Sequence, residues 1–391
     1  MRKVMTIVGT RPELIKMSVV IERLDRLTRH VLVHTGQNHD YALNRVHFED
    51  LGIREPDHFL AVSGGSAMES IAKILTATDA LLAVEKPEAV LIYGDTNSGL
   101  AALAAKRRKI PLFHMEAGNR CFDQRVPEEL NRKIIDHLSD VNMTLTEHAR
   151  RYLLDEGLPP DRTFTVGSHM AQVLARARTK IDASDAVRRL GLSAEQYFLV
   201  SAHREENVDD PSRLTALLVT LDRLASTYGW PVVVSTHPRT QQRLASAGFA
   251  AQSPLVRFLP PFSFSDYIQL QLASFCVLSD SGTLTEEAAL LNLAAVAIRD
   301  AHERPEGMDA GVLLMAPLQP ERILDAVRAA RDLIGDRRAG WVAGYDAGDV
   351  AGKVVRIVLS YIDYVNRVVW SKTQASSISS DDASQERLVV P

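Results

Sequence analysis

Three acidic side chains lie close together in the chain, beside apolar runs that predict β-strands. Asp95 follows the run AVLIYG, and Glu116 follows the apolar segment PLFHM. Glu128 comes directly after Pro127, and proline often occupies the first position of a helix. Ligands of open α/β sheets bind at the carboxyl ends of the strands, where a buried carboxylate is costly unless it is used. The three acids therefore indicate a site that moves protons.

Structural explanations compete with this interpretation, and they differ in strength. Glu128 could merely complement the dipole of the helix that Pro127 begins. From the sequence alone, this explanation and a catalytic role are about equally good. Asp95 could form an Asx turn or cap the helix that follows it. Glu116 precedes an Ala-Gly pair, so no solvated helix face accounts for it. Glu116 is thus the acid whose position most strongly indicates chemistry.

Two histidines follow predicted strands in the second half of the chain. His203 comes just after Tyr197–Ser201, and His237 just after Val232–Ser235. A histidine there can donate to a diphosphate or exchange a proton near neutral pH. A histidine that is satisfied within its own loop is the common alternative. The chain has no HExxH motif and no Cys/His cluster, so its 12 histidines do not predict a metal site, and no GxSxG motif supports acyl transfer.

The first predicted strand leads into GTRPELIK, a segment that suits a phosphate. Pro12 predicts the start of a helix, and Arg11 beside it can combine its guanidinium with the free backbone N–H groups there. Lys16 follows about one helical turn later. From this segment alone, an ordinary surface arginine and lysine are an equally good interpretation.

A second candidate phosphate site lies in DSGTLTEE, after the apolar run FCVLS. Ser281 and Gly282 can offer a hydroxyl and backbone N–H groups to a phosphate, and Glu287 can bond a ribose. Alternatively, Thr283 and Glu286 fit a capping box, which needs no ligand. One candidate phosphate site in each half of the chain favours a nucleotide.

Short apolar runs alternate with longer helical patterns along the chain, which predicts an α/β fold with parallel sheets covered by helices. A polar stretch around Arg176–Asp185 divides the runs into two groups, so we predict two doubly wound, Rossmann-like domains around a central cleft. The predicted strands are Val4–Val8, Val31–His34, Ala89–Tyr93, Leu112–His114, Tyr197–Ser201, Val232–Ser235, Phe275–Ser279 and Ala295–Ile298.

The predicted domains are an N-terminal one over residues 1–170 and a nucleotide-binding one over residues 171–350. A helix over residues 351–372 has apolar positions at helical spacing and is long enough to cross from one domain back to the other. Residues 373–391 are rich in Ser and Asp without periodicity, which predicts a disordered tail.

The composition excludes several classes of protein. The chain has 391 residues, too many for one ordinary core, and it is 46% hydrophobic and 24% charged with a net charge of −4. No segment resembles a signal peptide or a spanning helix, so we expect a cytoplasmic protein that binds neither nucleic acid nor membranes. Cys121 and Cys276 are too few for a disulfide framework.

Several motifs, taken together and in order, resemble those of the non-hydrolysing UDP-N-acetylglucosamine 2-epimerase family from about Met1 to Lys372. The motifs are GTRPELIK, GDTNS, HMEAGNRCFDQRVPEELNR, AHREEN, THP, DSGTLTEEA and HERPEG. The resemblance implies a fold similar to glycosyltransferase type B, a UDP-sugar substrate and a homodimer. It also implies that the enzyme needs no metal and no nicotinamide cofactor.

The resemblance places the family's catalytic residues on Asp95, Glu116, Glu128 and His203. Its nucleotide contacts fall on Arg11, Lys16, His237, Ser281, Gly282, Glu287 and Arg304. The implied reaction expels UDP from C1 as the C2 proton leaves, which forms a 2-acetamidoglycal, and UDP returns after a proton arrives on the other face. We expect the carboxylates to share the proton transfers while His203, Arg11 and Lys16 steady the diphosphate.

The segment GNRCFDQRVPEE resembles a branch of the family associated with capsule and O-antigen sugars, including 6-deoxy hexoses and diacetamido uronates. We therefore expect Arg120 and Arg125 to contact the altered part of the sugar, because arginine suits a uronate carboxylate. Regulated members of the family carry a Gln-His-Arg motif where this chain has Gln37–Asp40, so the same allosteric activation is not expected.

Other functions stay open at this point. A hydrolysing epimerase would use the same glycal and release a free sugar. A type B glycosyltransferase would share the fold but need an acceptor pocket. A non-catalytic binder of UDP-sugars would tolerate loss of Asp95 or Glu116.

Overall fold

The computed structural model describes residues 1–36, 51–248, 251–334 and 342–372. Within these ranges the strands form two sheets, and in each sheet all neighbouring strands run parallel. The segment Gln37–Asp40 and the tail over residues 373–391 lie outside the described residues, so the expectations for both stay predictions.

The first sheet has seven strands in the order β3-β2-β1-β4-β5-β6-β7. Its strands are β1 Lys3–Val8, β2 Arg29–His34, β3 His58–Phe59, β4 Ala89–Tyr93, β5 Leu112–Met115, β6 Val141–Thr144 and β7 Thr163–Thr165. The second sheet has six strands in the order β10-β9-β8-β11-β12-β13. They are β8 Phe198–Ser201, β9 Val232–Ser235, β10 Val256–Leu259, β11 Cys276–Ser279, β12 Ala295–Ala297 and β13 Leu314–Met315.

The two sheets confirm the predicted α/β fold class, with two Rossmann-like units arranged as in glycosyltransferase type B. All eight predicted strands are present, with small shifts at their ends. The prediction missed β3, β6, β7, β10 and β13. Three of these have only two or three residues, and β6 buries the polar side chains of Asn142 and Thr144, which interrupt its apolar pattern.

Helices cover both sheets. Those of the first half are α1 Arg11–Leu27, α2 Ala67–Glu85, α3 Ala102–Arg107, α4 Pro127–Leu138 and α5 Glu147–Asp155, with 3₁₀ helices at Asn97–Ala101 and Pro160–Arg162. The connection and second half contain α6 Met170–Ala183, α7 Ala186–Arg189, α8 Glu205–Val208, α9 Pro211–Tyr228, α10 Pro238–Ala247, α11 Phe264–Ala273, α12 Thr283–Leu291, α13 Pro305–Asp309, α14 Pro320–Leu333 and α15 Val350–Val368.

One apolar cluster joins the two halves. Residues of β1, α1 and β4 share it with α6, with the start of α11 and with the buried stripe of α15. The polar stretch around Arg176–Asp185 is therefore largely the outer face of α6, whose other face buries Val173, Leu174 and Ile181. The domain limits at residues 170 and 350 remain a proposal. Among the described helices, none has the length and apolarity that crossing a membrane requires.

Candidate active site

The predicted loops meet where the carboxyl ends of the two sheets face each other. In the first sheet β1 lies between β2 and β4, and in the second β8 lies between β9 and β11. A crevice forms at such a reversal of strand order. Arg11 begins α1 directly after β1, Asp95 lies in the loop after β4, and the loops after β8 and β11 hold His203 and Ser281. Arg11 bridges the crevice, donating from Nη2 to the carbonyl of Phe262 at 2.6 Å.

Two cations and two carboxylates form a cluster across the crevice, called here the cross-cleft cluster: Lys16, Glu116, Glu286 and Arg304. Lys16 Nζ lies 2.8 Å from Glu116 Oε2 and 3.0 Å from Glu286 Oε2. Arg304 Nη2 lies 3.1 Å from Glu116 Oε1 and 3.2 Å from Glu286 Oε2. Lys16 and Glu116 belong to the first half and the other two to the second, so the cluster joins the halves by charge.

Burial makes this pairing matter energetically. Glu286 is 0% exposed, and Lys16 and Arg304 are 4% and 3% exposed. Burial alone raises the pKa of Glu286, but the charges of Lys16 and Arg304 outweigh it and lower the pKa to about 2. Ser168 also donates its hydroxyl to Glu286. Glu286 therefore stays ionised inside the protein, where an unpaired charge would be strongly destabilising.

Glu116 is oriented by its backbone and by several donors. Its φ is 62°, a left-handed conformation that is uncommon for a residue other than glycine and occurs often at functional sites. The Tyr93 hydroxyl and Lys16 Nζ donate to its Oε2 atom. Asn119 donates from Nδ2 to Oε1 at 3.4 Å, the same oxygen that faces Arg304. The carboxylate is thus held in one orientation at the crevice.

Asp95 is held by α4. Its Oδ2 atom lies 2.8 Å from Nη2 of Arg132, and its side chain is 22% exposed. Asn131 donates from Nδ2 to the backbone carbonyl of Asp95 at 3.0 Å. The N-cap of the following 3₁₀ helix is Thr96, whose hydroxyl accepts from the backbone of Ser98, so the capping explanation for Asp95 is wrong.

Glu128 differs from the other two acids. It lies in the first turn of α4 and is partly exposed. Within the described part of the chain it makes no hydrogen bond and no ion pair. Burial alone would lower the pKa of Arg204, but the charges of Glu303 and Glu128 outweigh it and raise that pKa. Glu128 therefore faces the second half of the protein with an unbonded carboxylate.

The two histidines lie together on the opposite side of the crevice. The ring centroids of His203 and His237 are 5.4 Å apart. Asp280 accepts hydrogen bonds from the backbone N–H groups of His203 and Arg204 at 2.9 and 3.0 Å, and its Oδ1 lies 3.2 Å from His203 Nδ1. The imidazole of His203 is 35% exposed, so it is oriented by Asp280 and still accessible.

The turn after β11 requires glycine for a steric reason. A Cβ atom at Gly282 would lie 2.4 Å from Glu303 Oε1. Glu303 is fixed by Arg204 Nη2 at 2.9 Å and by Arg299 Nη1 at 2.6 Å. Ser281 precedes the glycine, with its Oγ 3.0 Å from the hydroxyl of Thr283. The turn therefore brings backbone close to a buried group of ionic side chains.

Gly282 is the N-cap of α12, and its position decides between two interpretations of the acids that follow. The predicted capping box required Thr283 as the N-cap, but the N-cap is Gly282 and no described side chain caps the helix. Glu286 bonds Lys16 and Arg304 in the cross-cleft cluster instead, so the capping-box interpretation is wrong. Glu287 accepts from Nε2 of Gln271 at 2.6 Å, and burial raises its pKa.

The structure places Arg120 inside the protein and Arg125 at its surface. Arg120 is 1% exposed and donates to Asp136 at 2.7 Å and to Glu156 at 2.6 Å, so its guanidinium is bonded to acids of the first half, and its contact with the sugar stays a prediction. The Arg125 side chain is 86% exposed and lies 2.7 Å from Asp123.

Sequence reasoning missed residues that only their contacts identify. Glu286 and Glu303 occur inside quoted motifs but carry no signal of burial, and Tyr93 reads as the end of an apolar strand. Arg132 and Asp280 are likewise ordinary in sequence and central in contacts. Among the described residues, no three His, Cys, Asp or Glu side chains are grouped so that they could hold a metal ion.

Comparison with known proteins gives consistent matches. A family model described as UDP-N-acetylglucosamine 2-epimerase matches residues 22–359. A solved structure of UDP-N-acetylglucosamine 2-epimerase from Rickettsia bellii is 56% identical, with a TM-score of 0.89 over 95% of this chain and 100% of that one. A Methanocaldococcus jannaschii UDP-GlcNAc 2-epimerase, solved with UDP-GlcNAc and UDP, is 30% identical with a TM-score of 0.85 over 92% and 99%. The UDP-2,3-diacetamido-2,3-dideoxy-D-glucuronate 2-epimerase of Pseudomonas aeruginosa is 34% identical over 84% of this chain and 92% of its own.

Proposed function

Because the chain belongs to the UDP-N-acetylglucosamine 2-epimerase family, we propose that it epimerises a UDP-2-acetamido sugar at C2 without net hydrolysis. The observation that carries this proposal is the meeting of three carboxylates from the first half with a histidine pair and a glycine turn from the second. Acids suit a proton transfer, and the opposite side suits a diphosphate. One crevice thus combines the two requirements of an elimination.

The chemistry explains why both sides are needed. The C2 proton of an acetamido sugar is weakly acidic, so its removal alone would leave an unstabilised carbanion. When a carboxylate takes the proton as the C1–O bond breaks, the electron pair of C2–H forms the C1=C2 bond of a 2-acetamidoglycal and UDP leaves with the C1–O pair. The reverse steps deliver a proton to the other face of C2 and return UDP to C1.

The three carboxylates suit different parts of this cycle. Glu116 and Asp95 are both held by cations, so each offers a fixed oxygen to the sugar. Glu128 has no bonded partner among the described residues, so its carboxylate is free to receive and return a proton. We assign the proton transfers at C2 to these three residues, and the sharing between them is part of the proposal.

The diphosphate is assigned to groups on the second side, with Arg11 reaching over from the first. His203 and His237 supply ring N–H groups, and Ser281 with Gly282 supplies a hydroxyl and backbone N–H groups. Glu287 is assigned to the ribose. We assign Lys16 and Arg304 to the edge of this site, where the two carboxylates of the cross-cleft cluster balance their charge.

The names of the relatives support a proposal for the identity of the sugar. Similarity to enzymes named for UDP-N-acetylglucosamine and for a diacetamido-glucuronate supports a substrate of this range. We extend the proposal to 6-deoxy relatives and to surface polysaccharide precursors because the segment GNRCFDQRVPEE resembles that branch of the family. We also propose that the enzyme is a cytoplasmic homodimer, which light scattering after gel filtration and cell fractionation would test.

The test of the function is NMR of the full-length protein with UDP-N-acetylglucosamine in D₂O. Deuterium at C2, with both epimeric UDP-sugars present and no free sugar, is the expected result. Release of free N-acetylmannosamine would replace the proposal with a hydrolysing epimerase. Absence of exchange with this sugar and with its 6-deoxy and diacetamido-uronate analogues would overturn the epimerase function in favour of a transferase or a binder.

A further inference from the structure

We propose that Arg132 is a positioning residue for the epimerisation and acts through Asp95; the inference rests on the proposed function. Arg132 lies in α4 and is 3% exposed. Its Nη2 atom is 2.8 Å from Asp95 Oδ2, so the guanidinium holds one oxygen of that carboxylate. The other oxygen is left for the substrate.

The choice of partner is informative, because Arg132 has another acid on its own helix. Residues four positions apart share a helix face, so Glu128 is placed for an ordinary pair with Arg132. The guanidinium bonds Asp95 instead and contacts Glu129 Oε2 through Nη1 at 3.1 Å. Helix α4 therefore carries the unbonded carboxylate of Glu128 and also fixes the carboxylate of Asp95, which belongs to the loop after β4.

Glu129 gives Arg132 a rigid support. It is fully buried, and its carboxylate accepts from the backbone N–H groups of Cys121 at 3.0 Å and Phe122 at 3.3 Å. These residues belong to the loop that follows Glu116. Arg132 consequently connects the loop of one catalytic acid to the loop of another.

The backbone of Asp95 is fixed from the same helix. Asn131 donates from Nδ2 to the Asp95 carbonyl at 3.0 Å and to Asn97 Oδ1 at 3.0 Å. With its main chain held by Asn131, the remaining freedom of Asp95 is the rotation of its carboxylate, and Arg132 removes that freedom.

The arginine keeps this arrangement at a cost. Its Nε atom is buried without a hydrogen-bond partner in the described protein, and a buried donor without a partner reduces stability. Proton transfer depends on sub-ångström placement, and a displacement of about 1 Å can cost about 100-fold in rate, which accounts for the retained geometry.

The experiment compares Arg132→Met, Asp95→Asn and the double variant in the full-length protein, using C2 exchange in D₂O on the UDP-acetamido sugar that the wild type exchanges. We expect Arg132→Met to lower exchange about 100-fold and to leave UDP affinity by calorimetry within about twofold. Arg132→Lys should retain part of the exchange. In the double variant, Arg132→Met should add less than about threefold to the loss caused by Asp95→Asn, because both changes disable one unit.

Losses that multiply in the double variant would show that Arg132 does not act through Asp95 and would overturn the inference, as would full exchange in Arg132→Met. If Arg132→Met fails to fold, Arg132→Lys with Asp95→Asn makes the same comparison, since lysine keeps the charge without the guanidinium fork. Arg151→Met, which removes an exposed cation from α5, is the matched control and should exchange normally. If the wild type exchanged C2 of no UDP-acetamido sugar, the proposed function itself would be contradicted. If the wild type were active and Arg132→Met exchanged equally well, only the inference about Arg132 would be contradicted.

Discussion

The cross-cleft cluster and the start of α4 place carboxylates at the same crevice under opposite conditions. In the cluster, Glu116 and Glu286 are each bonded to Lys16 and Arg304 in a nearly water-free setting. At the start of α4, Glu128 is partly exposed and has no bonded partner among the described residues. Acids at one crevice are therefore held in two ways: the paired carboxylate of Glu116 has a fixed orientation, whereas the unpaired carboxylate of Glu128 can reorient.

The largest effects should come from the cross-cleft cluster. We expect Glu116→Gln to reduce C2 exchange about 10³-fold, because it removes both a proton acceptor and a cation partner. Glu286→Gln removes a charge from the same cluster, so both variants should lower the free energy of unfolding by about 3–5 kcal/mol, measured by urea denaturation. Glu286→Gln should cost only about tenfold in exchange. Equal losses of exchange would mean that the cluster acts through the fold alone.

At the start of α4 the same substitution should separate activity from stability. Glu128→Gln is expected to reduce C2 exchange about 100-fold while the free energy of unfolding changes by less than about 0.5 kcal/mol. The control is Glu147→Gln, an acid in the first turn of α5 that is 56% exposed. If Glu128 served only the helix dipole, the two variants would behave alike, with normal exchange in both.

Glu13 tests whether cations, and not burial as such, keep the cluster acids ionised. Its carboxylate accepts from the backbone of Gly9 at 2.6 Å and from the Thr96 hydroxyl at 2.6 Å, but it bonds no cation in the described part of the chain, and burial raises its pKa to about 7. The folded state therefore holds a proton that the unfolded chain releases, so this stabilising contribution is present below pH 4.5 and is lost as the pH rises through about 7.

Glu13→Gln should remove that dependence. From the size of the pKa shift, the wild type should lose about 3 kcal/mol relative to Glu13→Gln between pH 4.5 and 8, measured by urea denaturation at each pH. If the free energy of unfolding depended on pH in the same way in both proteins, the pKa of Glu13 would not be raised by folding. Burial without a cation would then not be enough to keep a carboxyl group protonated, which would contradict the comparison with Glu286.

The smallest effect is expected outside both regions. Arg125→Ala should change C2 exchange of UDP-N-acetylglucosamine by less than about twofold and leave the melting temperature unchanged, because its side chain is 86% exposed. If Arg125 recognises a uronate carboxylate, KM for the diacetamido-uronate analogue alone should rise. Unchanged KM for that analogue would remove Arg125 from the proposed site.

Much of the fold was predictable, because apolar runs of strand length and helix-start residues are local signals. Every strand at the two points where strand order reverses was predicted, and the loops after these strands hold Asp95, His203 and Ser281. Short edge strands such as β3 and β13 were missed, since two residues carry no periodicity.

The sequence by itself determined the parallel α/β architecture, the loops that carry chemistry and the family, because motif order and periodicity are written along the chain. Only the tertiary structure decided which charges meet. Glu286 became a cluster partner of Lys16 instead of a helix cap, Arg120 bonded Asp136, and Arg132 bonded Asp95. The physical reason is that the energy of an ionic side chain depends on its burial and on partners from distant segments, which no local pattern records.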